Sequence, residues 1–207
     1  ALGIVLSAEL VGMGFGSILL GGVADRVGRK GAMIACLVFM AIGMYLASTA
    51  QGVTPMIAYR FITGIGIGGM LAATNAVTAE SSNSRFRRTA IAAYVAGYPL
   101  GAIIGGIAAS EWLLPDHGWR AIFLFGAAVT ALLIPIIALL VPETAAFHAS
   151  KGNLAGANKT LRAFGKAPID ALPVAVEGAA KPKVSDILSH PKLRRITILL
   201  ALGYTFH

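Results

Sequence analysis

Five long apolar runs, each nearly free of charge, constrain this chain more than any other feature. Leu2–Val23 holds one charged residue, Glu9, and Pro55–Thr78 holds one, Arg60. The other three runs hold none: Gly31–Ala50, Thr89–Ser110 and Ala121–Val141. Each is about the length that a helix needs to cross roughly 30 Å of hydrocarbon, and none shows the repeating polar face of a helix in a soluble protein. The sequence therefore predicts an all-α integral membrane protein.

The composition agrees with this prediction. Apolar residues make up 57% of the chain and charged residues 13%, against about 25% charged in soluble domains. A sixth apolar run opens at Ile196 and continues to His207, and the chain starts inside an apolar run without Met or a basic leader. We expect no signal peptide. We also expect the sequence to be part of a longer chain, with at least one helix before it and several after it.

Basic residues alternate from one connection to the next. They cluster after the first, third and fifth runs, whereas the connections Gln51–Thr54 and Leu114–Arg120 hold only Arg120. Because basic loops stay on the cytoplasmic side of a membrane, the first, third and fifth runs are predicted to cross the cell membrane from outside to inside. The net charge of +8 forms no stripe on a soluble surface, so the expected surroundings are a lipid bilayer and not nucleic acid.

A long connection separates the fifth run from the sixth. It contains several Pro and Gly residues and one amphipathic stretch, Leu154–Phe164, that suits a short helix at the membrane surface. We predict a helical bundle over residues 1–141, a cytoplasmic linker over 142–195, and the start of a second bundle at 196–207. The C-terminal half of the same chain is then the expected partner of the first bundle.

The turn after the first run reads GGVADRVGRK, residues 21–30. Gly21 permits a close helix approach and Gly28 a tight turn, while Asp25 can pair with Arg29 or accept from the N-terminus of a helix. The segment resembles the G-x-x-x-D-R-x-G-R-K signature of the major facilitator superfamily. The resemblance implies two six-helix halves, with the present runs as spans two to six of the first. It also implies a cytoplasmic gate at Gly21, Asp25, Arg26, Gly28, Arg29 and Lys30. The simpler alternative is that these basic residues only set the orientation.

The third run combines Arg60 with a ladder of glycines. Its G-x-G-x-x-G pattern, residues 64–69, lies within a membrane-length run and not after a strand, so we reject a dinucleotide site. Gly64 and Gly68 instead form a small-residue packing face. A charge such as Arg60 inside a membrane usually faces a cavity or a partner, although snorkelling to the outer interface is an alternative. The resemblance links the matching Arg to proton coupling.

The fourth run carries a second glycine series. Gly97, Gly101 and Gly105 recur every four residues and predict another close-packing face, and Pro99 is expected to bend the helix. The Gly-Pro pair that is typical of exporters in the family is replaced by Tyr98-Pro99, which favours import.

Two connections share a short sequence pattern. Asp25 and Arg29 beside Gly28 resemble Asp116 and Arg120 beside Gly118, which suits inverted repeats.

Four other polar residues are candidates for the substrate cavity. Glu9 stands alone in its run and is expected to be protonated or paired. Asn75 lies in the third run, and Tyr94 and Tyr98 share one face of the fourth. Ordinary helix packing is the alternative for each.

We expect Glu80 and Glu143 to pair with Arg85, Arg87 or Arg88. Cys36 is read as a buried apolar residue, and neither a metal site nor a cofactor is expected.

Taken together, the segments YRFITGIGIGGMLAATNAVTAE, GYPLGAIIGG, HGWRAIFLFG and PETAAF resemble the aromatic acid/proton symporter branch of the superfamily. The resemblance implies a symporter that moves a small organic anion, preferably an aromatic carboxylate, together with a proton by alternating access. A sugar or other metabolite porter is the nearest alternative, followed by a membrane sensor or scaffold without transport. No enzyme is expected, since His117, His148, His190 and His207 all lie outside the five complete runs. A channel is disfavoured by the lack of a ring of like charges.

Overall fold

The computed structural model describes residues 2–83, 85–171 and 189–205, and their regular structure is helical. The helices are α1 (Leu2–Val27), α2 (Arg29–Ser48), α3 (Val53–Ser81), α4 (Arg87–Ile107), α5 (Leu114–His117), α6 (Trp119–Leu140), α7 (Ala145–Ser150), α8 (Leu154–Ala163) and α9 (Pro191–Thr205), with a π-helical turn at Ala108–Leu113 between α4 and α5. The chain divides into two units, Ala1–Leu172 and Pro173–His207. This boundary lies within the predicted linker, and α9 is the described helix of the second unit.

The described residues contain five helical segments that are long and apolar enough to span a membrane: Leu2–Val27, Arg29–Ser48, Val53–Ser81, Arg87–His117 and Trp119–Leu140. They coincide with the five predicted runs, which confirms the all-α membrane fold class. Large apolar side chains cover their outer surface. Ile18 is 78% exposed and Leu139 is 83% exposed, which suits lipid and not water as the surrounding solvent.

Most helices extend beyond the apolar runs that predicted them. The first run ends at Val23, but α1 continues through Asp25 and Arg26 to Val27. Charged residues do not stop a helix when their side chains reach the membrane surface, so apolar length underestimates helix length. The π-helical turn follows α4 where Pro115, which has no N–H to donate, interrupts the regular hydrogen-bond ladder.

Glycine brings α1 and α3 into backbone contact. A Cβ at Gly12 or Gly16 of α1 would collide with the backbone of α3 at Phe61 or Ile65. In return, a Cβ at Gly64 or Gly68 of α3 would collide with the backbone oxygens of Glu9 and Met13. The two helices therefore run side by side with no side chains between their axes, which is the arrangement expected of small-residue faces in membranes. The packing face predicted at Gly64 and Gly68 lies in this contact.

Gly66 of α3 faces α2, and Gly69 lies where α3 meets both α1 and α2. A Cβ at Gly66 would meet Met40 and the Cys36 carbonyl, and one at Gly69 would meet Leu20 of α1 and the Cys36 sulfur of α2. Cys36 is fully buried there. The buried core nearby is small, formed by Ala24, Ala32, Met33 and Ala73. Close helix approach thus replaces the large side chains that fill the core of a soluble protein.

Helix α4 has no buried residue in the described part of the chain. A Cβ at Gly97, Gly101 or Gly105 would meet no atom within 4 Å there. The packing role of these glycines therefore stays a prediction, as does a bend at Pro99, which lies inside the helix.

Two short helices follow the last span of the first unit. Thr144 caps α7, its hydroxyl accepting a hydrogen bond from the Phe147 N–H at 3.3 Å. Asn153 caps α8 in the same way through the Gly156 N–H at 2.8 Å. Thr160 of α8 donates to the Glu143 carbonyl at 3.0 Å. The short helix predicted at Leu154–Phe164 is thus confirmed as α8, and it packs against α7.

We expect Gly16→Ala to lower the unfolding free energy by about 2 kcal/mol or more, because its Cβ has only the rigid backbone of α3 to displace. Gly14→Ala is the matched control on the same helix, since a Cβ at Gly14 meets nothing within 4 Å in the described residues. That control should be neutral or slightly stabilising. Denaturant unfolding of the purified variants in micelles measures both, and equal stability of the two variants would contradict the backbone contact.

Candidate functional site

The first candidate site is an ion pair between α1 and α3. Arg60 donates a hydrogen bond through Nη2 to the Oε2 of Glu9, and their side chains are 18% and 15% exposed. Each residue lies seven positions after the start of its helix, which is about 10 Å along the helix axis. Each charge therefore has a partner within an apolar helix, where an isolated charge would be costly. Glu9 was expected to be either protonated or paired, and the structure shows it paired. Arg60 was expected to face a cavity or a partner, or to reach the outer interface, and the structure shows it facing a partner.

An aromatic side chain of α6 lies against Arg60. The Arg60 guanidinium lies over the ring of Phe123 on α6, 5.5 Å from its centroid, which is within the range of a cation–π contact. Phe123 in turn meets Trp119 edge to face at 6.0 Å. Sequence analysis missed Phe123, because nothing in an apolar run distinguishes a phenylalanine beside a charge from one facing lipid.

The other predicted cavity residues lie apart from the ion pair. Tyr94 is half-buried seven residues into α4, beside the Thr74 side chain of α3, whereas Tyr98 is 66% exposed. Asn75 is exposed on α3. No hydrogen bond or ion pair links these three residues to Arg60 within the described ranges. Their role in a cavity stays a prediction.

The second candidate site is a network centred on Arg29, at the end of the bundle where α1 and α3 finish; we call this the basic end. Arg29 donates to the Oδ1 of Asp25 at 2.5 Å, and through Nη2 and Nε to the Oε1 of Glu80 at 2.9 and 3.2 Å. Asp25 is 69% exposed, but Glu80 is only 23% exposed. The predicted pairing of Asp25 with Arg29 is confirmed, and α3 supplies a second, better buried carboxylate.

Glu143 completes this network from the segment between α6 and α7. Its Oε1 accepts from the backbone N–H of Arg29 at 2.9 Å, and its carboxylate also accepts from the N–H of Lys30. The negative charge therefore lies at the N-terminus of α2, where the helix dipole favours it. Gly28 makes room for it: its φ of +107° suits glycine, and a Cβ there would collide with the Glu143 carboxylate.

One sequence-based expectation about the basic end is wrong. Glu80 and Glu143 do not pair with Arg85, Arg87 or Arg88 in the described residues; Glu80 binds Arg29 and Glu143 binds the start of α2. The physical reason is proximity across the bundle, since α3 ends beside the α1–α2 turn.

The other predicted gate residues make fewer contacts. Arg26 is exposed, and no ion pair of Arg26 or of Lys30 is formed in the part of the chain that the structure describes. A Cβ at Gly21 would meet the Ala72 Cβ of α3 at an ordinary van der Waals distance.

The signature turn, the membrane-length helices and the buried charges agree with what a family comparison finds. The family model "Major Facilitator Superfamily" matches residues 1–206, and the chain belongs to that superfamily of membrane proteins.

Two of the relatives are named as transporters of aromatic acids. The chain is 31% identical over 151 residues to a gallate transporter of Pseudomonas putida, and 33% identical over 153 residues to a 4-hydroxybenzoate transporter of Acinetobacter baylyi. Each match covers 73% of this chain and 33% of the relative, so the chain spans about a third of the length of these relatives. Both names describe carriers of aromatic acids, as the resemblance stated above implied, and neither describes an enzyme.

Solved structures show the same fold. A partially occluded inward-open structure of the xylose transporter XylE from E. coli covers 80% of this chain with a TM-score of 0.65. The match covers 43% of that protein at 22% sequence identity, so it supports the fold and not the substrate.

Proposed function

We propose that this chain is part of a secondary active transporter that imports a small organic anion, preferably an aromatic carboxylate, together with a proton. The observation that carries the proposal is the Glu9–Arg60 pair between α1 and α3. A buried ion pair is a poor source of stability, because desolvation offsets much of its attraction. Ionisable residues inside a membrane more often mark proton and substrate pathways. The names of the aromatic-acid relatives supply the substrate class.

The pair couples the two cargoes through charge balance. A proton that binds Glu9 removes the negative partner of Arg60, whose guanidinium remains charged. Arg60 then needs a second anion, and a substrate carboxylate supplies two oxygens that fit its planar fork. When substrate leaves on the other side, the Glu9 proton follows, because the restored carboxylate pairs with Arg60 again. Proton and anion thus each favour the state that binds the other.

Alternating access changes the side of the membrane from which this site can be reached. In the proposed mechanism the first bundle rocks against the C-terminal half of the same chain, and the Arg29 network forms part of a gate at the basic end. Asp25, Arg26, Gly28, Arg29 and Lys30 belong to this gate, with Gly21 where α1 passes Ala72. Glu80 and Glu143 anchor it to α3 and to the start of α7.

The distribution of charge supports one orientation. Basic residues follow α1 and α3 and recur after α6, whereas the connections at the other end carry only Arg120. We place the basic end in the cytoplasm of a cell membrane and the start of α1, α3 and α6 outside. Substrate and proton then enter from the end nearer to the Glu9–Arg60 pair, which is about 10 Å away along the helices.

A sugar porter is the second candidate, because sugar porters share much of the sequence pattern on which the resemblance rests. The two candidates differ in what they require of Arg60. An uncharged sugar brings no anion to replace Glu9, so the proposed exchange of carboxylates at Arg60 requires a charged substrate. Uptake of xylose and of 4-hydroxybenzoate, compared in cells, separates these candidates, and uptake of neither would favour a sensor.

The coupling test compares Arg60→Ala, Arg60→Lys and Glu9→Gln. We expect Arg60→Ala and Glu9→Gln to abolish 4-hydroxybenzoate accumulation driven by an imposed pH gradient, since each removes one member of the exchange. Glu9→Gln should keep counterflow, which needs no net proton movement. Arg60→Lys should lose at least about tenfold in uptake, because an ammonium lacks the planar fork. Wild-type accumulation in Arg60→Ala, with normal expression, would remove Arg60 from the mechanism.

The gate test uses Asp25→Asn. Asp25 is mostly exposed, and Arg29 keeps Glu80 as its partner, so the variant should fold and insert normally; an exposed ion pair contributes about 1 kcal/mol or less. We expect slower transport, because the equilibrium between gate states changes and the binding contacts do not. Expression, melting temperature and initial uptake rate are measured together. Normal uptake would contradict the gate assignment, and loss of folded protein would indicate a structural role.

A further inference from the structure

A cavity opens at the end of the bundle where α1, α3 and α6 begin, which is opposite to the basic end. Its volume is about 360 Å³, within the range of small-molecule sites, roughly 300–1,000 Å³. Its walls come from the start of α1, the α2–α3 connection, the first turn of α3 and the first turn of α6. The wall includes Val5, Gln51, Val53, Met56, Trp119 and Arg120.

The cavity lies one helical turn outside the buried ion pair. Val5 precedes Glu9 by four residues on α1, and Met56 precedes Arg60 by four on α3. On α6, Trp119 precedes Phe123, the aromatic neighbour of Arg60, by four. Residues four apart share one face of a helix, about 6 Å apart along its axis. Three helices therefore lead from the cavity walls to the Glu9–Arg60 site.

Arg120 is the charged residue in the cavity wall. Its guanidinium lies 4.4 Å from the Trp119 ring centroid and donates through Nη2 to the Ala50 carbonyl at 3.0 Å. These two contacts hold the group in place near the end of α2. An arginine has five N–H donors, and no ion pair engages Arg120 within residues 2–83, 85–171 and 189–205. Donors therefore remain for an anion.

We propose that this cavity is a second binding site, which captures a small aromatic carboxylate before it reaches the Glu9–Arg60 pair. Arg120 binds the carboxylate, and its planar fork suits two oxygens. The indole of Trp119 and the side chains of Val5, Val53 and Met56 contact the ring. Arg120 is the one basic residue in the connections at this end, whereas the connections at the basic end hold many. Binding of an anion explains its presence here. The site rests on the proposed function for its place before import, but binding here requires no transport.

The test uses benzoate as the probe and a cysteine at the cavity wall as the reporter. Gln51→Cys is labelled on intact cells with an impermeant maleimide, in increasing concentrations of benzoate. Asp116→Cys is the control, because Asp116 is exposed in α5 at the same end, lies outside the five apolar runs and does not line the cavity. Cys36 is fully buried. We expect benzoate to slow labelling at position 51 at least about threefold and saturably, and to leave position 116 unchanged.

Two further variants separate this site from the ion pair and from a structural effect. Arg120→Gln should raise the half-protecting benzoate concentration at least about tenfold, as expected for a hydrogen bond to a charged group. Met56→Trp should abolish protection by filling the cavity while the Arg120–Ala50 hydrogen bond stays. Acetate, which has no ring, and benzyl alcohol, which has no charge, should protect weakly or not at all.

The same titration in the Glu9→Gln/Arg60→Gln double variant separates the two proposals. Protection should persist there, because capture does not use the buried pair. If the otherwise unaltered protein shows protection but accumulates no 4-hydroxybenzoate under an imposed pH gradient, that result counts against the transport proposal alone. Absence of protection in the otherwise unaltered protein would overturn the capture site even if uptake is normal. Equal protection by acetate, or protection that survives both Arg120→Gln and Met56→Trp, would also overturn it.

Discussion

The backbone contact between α1 and α3 is the constraint on which the rest of the bundle depends. A membrane supplies little hydrophobic force between helices, so association relies on close packing. Glycines on both helices remove the side chains that would hold the axes apart. Gly64 is the clearest example, because it lies directly against the backbone of Glu9. The contact that holds the two helices together therefore also brings the Glu9 carboxylate within reach of Arg60, four residues before Gly64. The same glycine contact therefore determines both the packing of α1 against α3 and the position of the candidate coupling site.

The two ends of the bundle use similar turns for different tasks. Gly28 and Gly118 both have positive φ, +107° and +75°, and each precedes a membrane helix. At the basic end, Arg29 binds two carboxylates and Glu143 covers the start of α2. At the other end, Arg120 binds a carbonyl at the finish of α2 and no carboxylate in the described residues. The similarity between the two sequence segments thus corresponds to matching backbone turns, which bind carboxylates at the basic end and none in the described residues at the other end.

The sequence predicted features that depend on one helix at a time. Apolar length located the spans, and the Gly28 turn and the Asp25–Arg29 pair followed from spacing within one short segment. It could not predict contacts between distant helices. Glu80 was assigned to nearby arginines but binds Arg29, 51 residues away in the chain, and Phe123 looked like any other residue facing lipid. The partner of Glu9 was missed for the same reason: Glu9 and Arg60 were each recognised as unusual, but only the fold shows that they meet.

The central claim is that Glu9 and Arg60 act as one unit inside the membrane, and a double-mutant cycle on the unfolding free energy tests it most directly. Each single substitution, Glu9→Gln or Arg60→Gln, leaves an unpaired buried charge and should cost about 3–5 kcal/mol. The double variant leaves no charge at the site, so it should be more stable than either single variant, with a coupling energy of at least about 2 kcal/mol. If the two costs instead add to within about 0.5 kcal/mol, the residues do not interact, and the proposed exchange between proton and anion loses its basis.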